Sequence, residues 1–175
     1  MCSVSQTDAP TPGARRVGFS LGSNSGDRLQ ALEQACDALC ESYGDLRLSR
    51  VYETEPVDCP PGSPAYLNAC VEVFTACPAE DMLVRALQIE QELGRVRSGV
   101  YGEPRTCDID LLYCGEEVIH SPRLTLPHPH AHRRRFVLQP LCDIDPSLIL
   151  PGQQKTVSTL LAELPERPLV TPFDL

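Results

Sequence analysis

The stretch YLNACVEVFT, residues 66–75, alternates: Leu67, Ala69, Val71 and Val73 fall on one face of an extended chain, and Tyr66, Asn68, Cys70, Glu72 and Phe74 on the other. This pattern predicts a strand whose aliphatic face packs on a core. The opposite face offers an aromatic ring at Tyr66 and an amide at Asn68 that both donates and accepts, which suits a flat heterocycle or an ordinary exposed strand surface.

Working outward, residues 16–22 (RVGFSLG) have strand content, and the GSNSG turn at 22–26 leads to Asp27, a candidate N-cap. Leu29, Leu32, Cys36, Leu39 and Tyr43 then recur at helical spacing, with Gly44 as the stop. Residues 46–54 (LRLSRVYET) predict a second strand, and the Pro- and Gly-rich run at 57–64 a surface loop. After the central strand, Met82, Ala86, Ile89 and Leu93 mark a helix over 79–93 ended by Gly94, and residues 106–113 (TCDIDLLY) a fourth strand. Strand, helix, strand, strand, helix, strand is the order of a ferredoxin-like α+β domain, an antiparallel sheet with helices packed on it. Further on come a short strand, a His- and Pro-rich loop, and helices near 134–141 and 157–164. The expected organisation is a flexible tail over 1–15, one domain over 16–165 and a C-terminal tail over 166–175.

Composition bounds the function. The 175 residues suffice for one core, and no segment nears the roughly 18–20 apolar residues of a membrane span. The first residues lack a signal-peptide run, so the protein is expected to be cytoplasmic. Nine cysteines are an odd number with no CxxC, which fits reduced thiols used as small hydrophobes. A net charge of −9 disfavours nucleic acid and anionic membrane as partners. Residues 95–135 nevertheless hold seven arginines against five carboxylates, the mark of a site for a small polyanion.

Asp108 and Asp110 are two apart on the fourth strand and so project together, while Cys107, Ile109 and Leu111 point into the core. Two carboxylates on a surface free for function could hold Mg²⁺, or could simply be a polar face. Arg95, Arg97 and Arg105 close by favour a triphosphate clamp. No Walker A or GxGxxG spacing is present, which argues against P-loop and Rossmann enzymes. The PHPHAH run at 127–132 reads as a zinc tract, a polar loop, or a single histidine on phosphate beside Arg133, Arg134 and Arg135.

Taken together, FSLGSN (19–24), YETEP (52–56), YLNACVEV (66–73), IEQELGRVR (89–97), PRTCDIDLL (104–112), LTLPHPH (124–130) and RRFVLQPL (134–141) resemble the 6-hydroxymethyl-7,8-dihydropterin pyrophosphokinases of folate biosynthesis. The resemblance implies transfer of the β,γ-diphosphate of ATP to the pterin hydroxymethyl group with release of AMP, using two Mg²⁺ ions. It implies that Asp108 and Asp110 hold the metals and that Arg95 and Arg105 join them in catalysis. Glu90, Arg95, Arg97, Arg105, Ile109, Arg123, Thr125, His128 and Arg134 become nucleotide contacts, and Thr54, Glu55, Val57, Tyr66, Asn68 and Phe136 the pterin pocket. Two departures stand out: no Trp precedes Pro104–Arg105, with Tyr101 as its nearest substitute, and Glu55 stands where proline is common. The resemblance fits a monomer that meets other folate enzymes. Loops over 57–65 and 98–104 are expected to close as lids. Two rivals stand beside this reading, a silent nucleotide- or pterin-binding module and a kinase attacking the γ-phosphorus.

Overall fold

A computed structural model describes residues 11–56, 59–94 and 106–174. Strand β1 (Arg15–Ser23) leads to helix α1 (Arg28–Tyr43). Asp27 caps α1, its carboxylate accepting from the Gln30 amide, and Gly44 ends it at φ 85° with its N–H on Cys40 O. Strands β2 (Leu46–Leu48), β3 (Tyr52–Thr54) and β4 (Tyr66–Thr75) follow, then α2 (Ala79–Glu92) and β5 (Asp108–Cys114). A ribbon of β6 (Ile119–His120) and β7 (Thr125–Leu126), a 3₁₀ turn over Ala131–Arg133, α3 (Arg135–Ile144), α4 (Val157–Glu163) and β8 (Val170–Pro172) complete the chain.

The sheet runs β5-β1-β4-β3-β8, with β2 also on β4, and every pairing is antiparallel. Helices α1 and α2 cover one face: Val17, Phe19 and Leu21 of β1 and Leu67, Val71 and Val73 of β4 meet Leu32, Leu39, Met82 and Ile89. Each such buried side chain contributes about 1.5–3 kcal/mol. The Asp27 cap adds about 1 kcal/mol, so packing rather than capping holds α1 down. No helix among the described residues is long and apolar enough to cross a membrane.

Three expectations are corrected. The strand over 46–54 is two strands. Leu48 pairs with Val71 and Tyr52 with Asn68, so three residues, 49–51, stand opposite two, and the extra residue is a bulge. Ser49 closes the gap, its hydroxyl accepting from Cys70 N and its own amide donating to Cys70 O. The second sheet face is not free along its length. A second core of Cys70, Leu112, Tyr113, Val137, Leu138 and Leu141 lets α3 cover its far half. The segment 166–175 is not all tail, because β8 pairs with β3 as an edge strand, where Pro172 is tolerated.

Candidate active site

The uncovered half of that second face is a cavity of about 1080 Å³. Its floor is one row of the sheet. Register sets Asp108 opposite Gly22 and Gly22 opposite Asn68, with Ser20 beside Asp110 one step along. At roughly 4.8 Å per strand, the Asp108 backbone lies about 10 Å from that of Asn68, and Asp110, two residues further along, about 12 Å. Gly22 keeps the intervening floor low, since a Cβ there would stand 3.2 Å from Asn68 Oδ1. A glycine inside a strand was the available signal for this residue in the sequence.

On the β3 side, Asn68 Nδ2 donates to Thr54 Oγ1 at 2.8 Å, both residues being buried. This bond fixes which way the amide faces, so Oδ1 and the second N–H keep one orientation. Tyr66, Glu55, Cys59, Pro168 and Phe136 complete this end of the cavity. Cys59 and Pro168 were missed in the sequence, where neither carries a local signal. Arg134 lies over the Phe136 ring at 5.6 Å, a cation–π contact joining the aromatic end to the charged middle.

On the β5 side the wall is apolar: Leu83 and Leu87 of α2, Ile109 and Leu111 of the edge strand, and Leu124, with Arg123 and Thr125 beside them. Glu90 belongs to this wall but is only 2% exposed, and its Oε1 accepts from Ile109 N at 2.8 Å. Its observed contact is therefore with the backbone between the two aspartates, so it steadies β5 as well as bordering the cavity. The Ile109 side chain lies in the core, on the opposite side of β5 from Asp108 and Asp110, and borders the cavity at that edge.

The same cavity is lined by His128, His130, Arg133, Arg134 and Arg135 as well as Asp108 and Asp110. Arg135 also donates to Leu161 O and Pro165 O, which ties α3 to the segment after α4. His128 Nδ1 accepts from the His130 amide at 3.1 Å, so in the neutral ring Nε2 carries the proton and is a donor. Burial, then the charge of Arg134, lowers the His128 pKa from 6.5 to about 4. The ring is thus an uncharged donor at neutral pH. The folded-state pKa is below the unfolded one, so its contribution to stability is complete above pH 6.5 and is lost as pH falls toward 4. Urea midpoints should therefore drop more steeply between pH 6.5 and 4.5 in the wild type than in His128→Asn, and parallel curves would refute this.

Among the described residues no group of three or more His, Cys, Asp or Glu is placed to hold a metal ion, the histidine run included. The eight cysteines described are free thiols. Arg95, Arg97, Arg105, Val57 and Tyr101, with the loop 98–104, lie outside the described residues.

The family model described as 7,8-dihydro-6-hydroxymethylpterin-pyrophosphokinase (HPPK) matches residues 18–146. The chain belongs to this family. It is 36% identical over 166 residues to the 2-amino-4-hydroxy-6-hydroxymethyldihydropteridine pyrophosphokinase of Synechocystis sp., covering 94% of this chain and 83% of that protein. The enzyme of the same name from Pseudomonas aeruginosa is 36% identical over 163 residues, covering 91% and 94%, and that from Bacillus subtilis 41% over 129, covering 72% and 75%. The wild-type HPPK-DHPS structure from Plasmodium falciparum shares the fold, with a TM-score of 0.67 at 16% identity over 86% of this chain. This chain spans 44% of that longer one. As an HPPK, the protein is an ATP-dependent pyrophosphokinase of folate biosynthesis, with ATP and a hydroxymethyl dihydropterin as substrates.

Proposed function

We propose that the β,γ-diphosphate of ATP is transferred across the Asp108–Gly22–Asn68 row to the pterin hydroxymethyl group, with AMP as the leaving group. The observation that carries this reading is the row itself, which sets a hydrogen-bonding amide about 10 Å from the first of two aligned carboxylates on one floor.

Thr54 and Asn68 hold the polar edge of the pterin, with Tyr66 and Phe136 against its ring faces and Glu55 and Val57 at the loop beyond. The nucleotide base takes the apolar wall of Leu83, Leu87 and Leu111, bordered by Glu90, Ile109, Arg123 and Thr125. His128 gives its Nε2–H to a phosphate oxygen without adding charge, and Arg134, Arg95, Arg97 and Arg105 supply the cationic contacts. Asp108 and Asp110 fit Mg²⁺: they are paired hard-oxygen ligands beside space for phosphate oxygens, as that ion requires. Two such ions would neutralise phosphate charge and help the pterin hydroxyl lose its proton. The chain's own part is alignment of the hydroxyl oxygen with the β-phosphorus and exclusion of water, which suffices for a transfer needing little covalent help.

The free thiols support a cytoplasmic location, and the domain is proposed to act as a monomer. Its union with DHPS in the Plasmodium structures supports encounters with another folate-pathway enzyme. Incubation with ATP, Mg²⁺ and 6-hydroxymethyl-7,8-dihydropterin should release one AMP per pterin consumed, read by anion-exchange chromatography. ADP in its place would mean attack at the γ-phosphorus and overturn the reading.

A further inference from the structure

Beyond α4 the chain turns back over the β3 end of the cavity. Arg167 Nη1 lies 3.6 Å from Glu55 Oε2. Pro168 then forms part of the cavity wall. Strand β8 follows, in register with β3 so that Val170 is opposite Thr54 and Pro172 opposite Tyr52. Phe173 anchors the far end, its amide donating to Val51 O at 2.9 Å and its ring packing against the main core.

The strap is thus held at three points: an exposed ion pair worth little, a strand ladder, and an apolar anchor. The ladder and anchor dominate. Between them and the ion pair stands Pro168, a ring with no N–H to satisfy, on the cavity side that also holds Thr54 and Asn68. Thr54 is the residue whose hydroxyl accepts from Asn68, and its backbone is laddered to the strap. The strap therefore also sets where β3 presents that hydroxyl. Strands β8 and β5 are the two ends of the β5-β1-β4-β3-β8 path, four strand spacings or about 19 Å apart, so a change in the strap is remote from Asp108 and Asp110.

We propose that residues 167–173 are the outer wall of the pterin half of the site and determine affinity and fit for a flat fused heterocycle, leaving nucleotide binding untouched. This rests on the pterin reading of Thr54 and Asn68. In that role Pro168 covers the heterocycle with an apolar ring and excludes water, and the β3–β8 ladder keeps the hydrogen-bonding edge in place.

The test is a set of full-length variants, Pro168→Gly, Phe173→Ala and Asn68→Ala, with exposed Val118→Ala, outside the cavity, as control. Each is assayed for KM of pterin and of ATP, for kcat, and for melting temperature. Pro168→Gly and Phe173→Ala should each raise the pterin KM about tenfold while ATP KM stays within about twofold, and Val118→Ala should change neither. Should Phe173→Ala fail to fold, Pro168→Gly decides alone. An unchanged pterin KM in the strap variants, with a raised one in Asn68→Ala, overturns the wall and leaves the pterin pocket standing. Equal rises for both substrates would make the strap a general prop and overturn it too. If Asn68→Ala itself leaves the pterin KM unchanged, the pterin pocket is misplaced and the wall falls with it.

Discussion

Alanine at Asp108 or Asp110 should leave a folded protein whose turnover falls on the order of 10²- to 10³-fold. Neither carboxylate belongs to a hydrophobic cluster. Both are half-buried, on the side of β5 that faces the cavity, and their neighbours across the ladder are Gly22 and Ser20. The core on the other side of β5 is made by Cys107, Ile109 and Leu111, which the substitutions do not touch. Melting temperature should therefore hold within a few degrees while charge neutralisation at the phosphates is lost. Calorimetric titration with Mg²⁺ and a non-hydrolysable ATP analogue should show weakened metal-dependent binding in both variants. Wild-type turnover in either would remove that aspartate from the proposed metal site.

The largest loss of stability is expected from Glu72→Ala, on the same sheet face but under α3. The Glu72 side chain is fully buried, and four donors converge on it. Oε2 accepts from Arg16 Nε at 2.9 Å, Arg16 Nη2 at 2.8 Å and the Tyr113 hydroxyl at 2.6 Å, and Oε1 accepts from Arg47 Nη1 at 3.0 Å. Arg16 continues to Asp145, and Arg47 to the Ile144 carbonyl, so one carboxylate joins β1, β2, β4 and β5 to the end of α3. Burial, then the charge of Glu72, raises the Tyr113 pKa, so the phenol stays a donor. The Tyr113 ring lies so close over Gly18 that a Cβ there would sit 2.3 Å from Cε1, which leaves the ring little room to move away. Removing the carboxylate leaves the buried Tyr113 hydroxyl without its acceptor and two partly exposed guanidiniums with one partner fewer, a loss of about 2–4 kcal/mol. At about 2–4 °C per kcal/mol for a chain of this size, the melting temperature should fall by roughly 10 °C. Glu72→Gln should recover part of it. Scanning calorimetry decides, and an unchanged melting temperature would show that the cluster contributes nothing net.

Glu72 also shows what the sequence could and could not reveal. Its place on the polar side of the 66–75 alternation was legible, and so was the aliphatic face of Leu67, Val71 and Val73, because a period of two states both sides at once. Its burial was not, since that depends on α3, some 65 residues later, folding over Cys70 and Tyr113. The same limit hid β8: Pro168 and Pro172 argue locally against a strand, and only an edge position makes Pro172 acceptable. Asp27, Gly44 and the Leu32 and Leu39 stripe were readable because caps and helical spacing act within a few residues. In the site, Asp108 and Asp110 could be paired from their spacing alone. Their distance from Asn68 could not, because it is a matter of strand order. Glu90 was placed at the nucleotide by resemblance, whereas its bond to the Ile109 amide needed α2 set beside the edge strand.

The bulge at residues 49–51 has a consequence for how this enzyme can change over generations. Leu46 and Leu48 pair with Val73 and Val71 and so share the helix-covered face, whereas Tyr52 and Thr54, also even-numbered, pair with Asn68 and Tyr66 on the other. One surplus residue has inverted the phase of everything downstream, much as an inserted letter shifts a reading frame. Losing one residue between Leu48 and Tyr52 would keep every side chain of the Thr54–Asn68 edge and yet turn Thr54 toward the helices, away from Asn68. Side chains along β2 and β3 can thus be exchanged more freely than the number of residues between them, on which a hydrogen bond six positions further on depends.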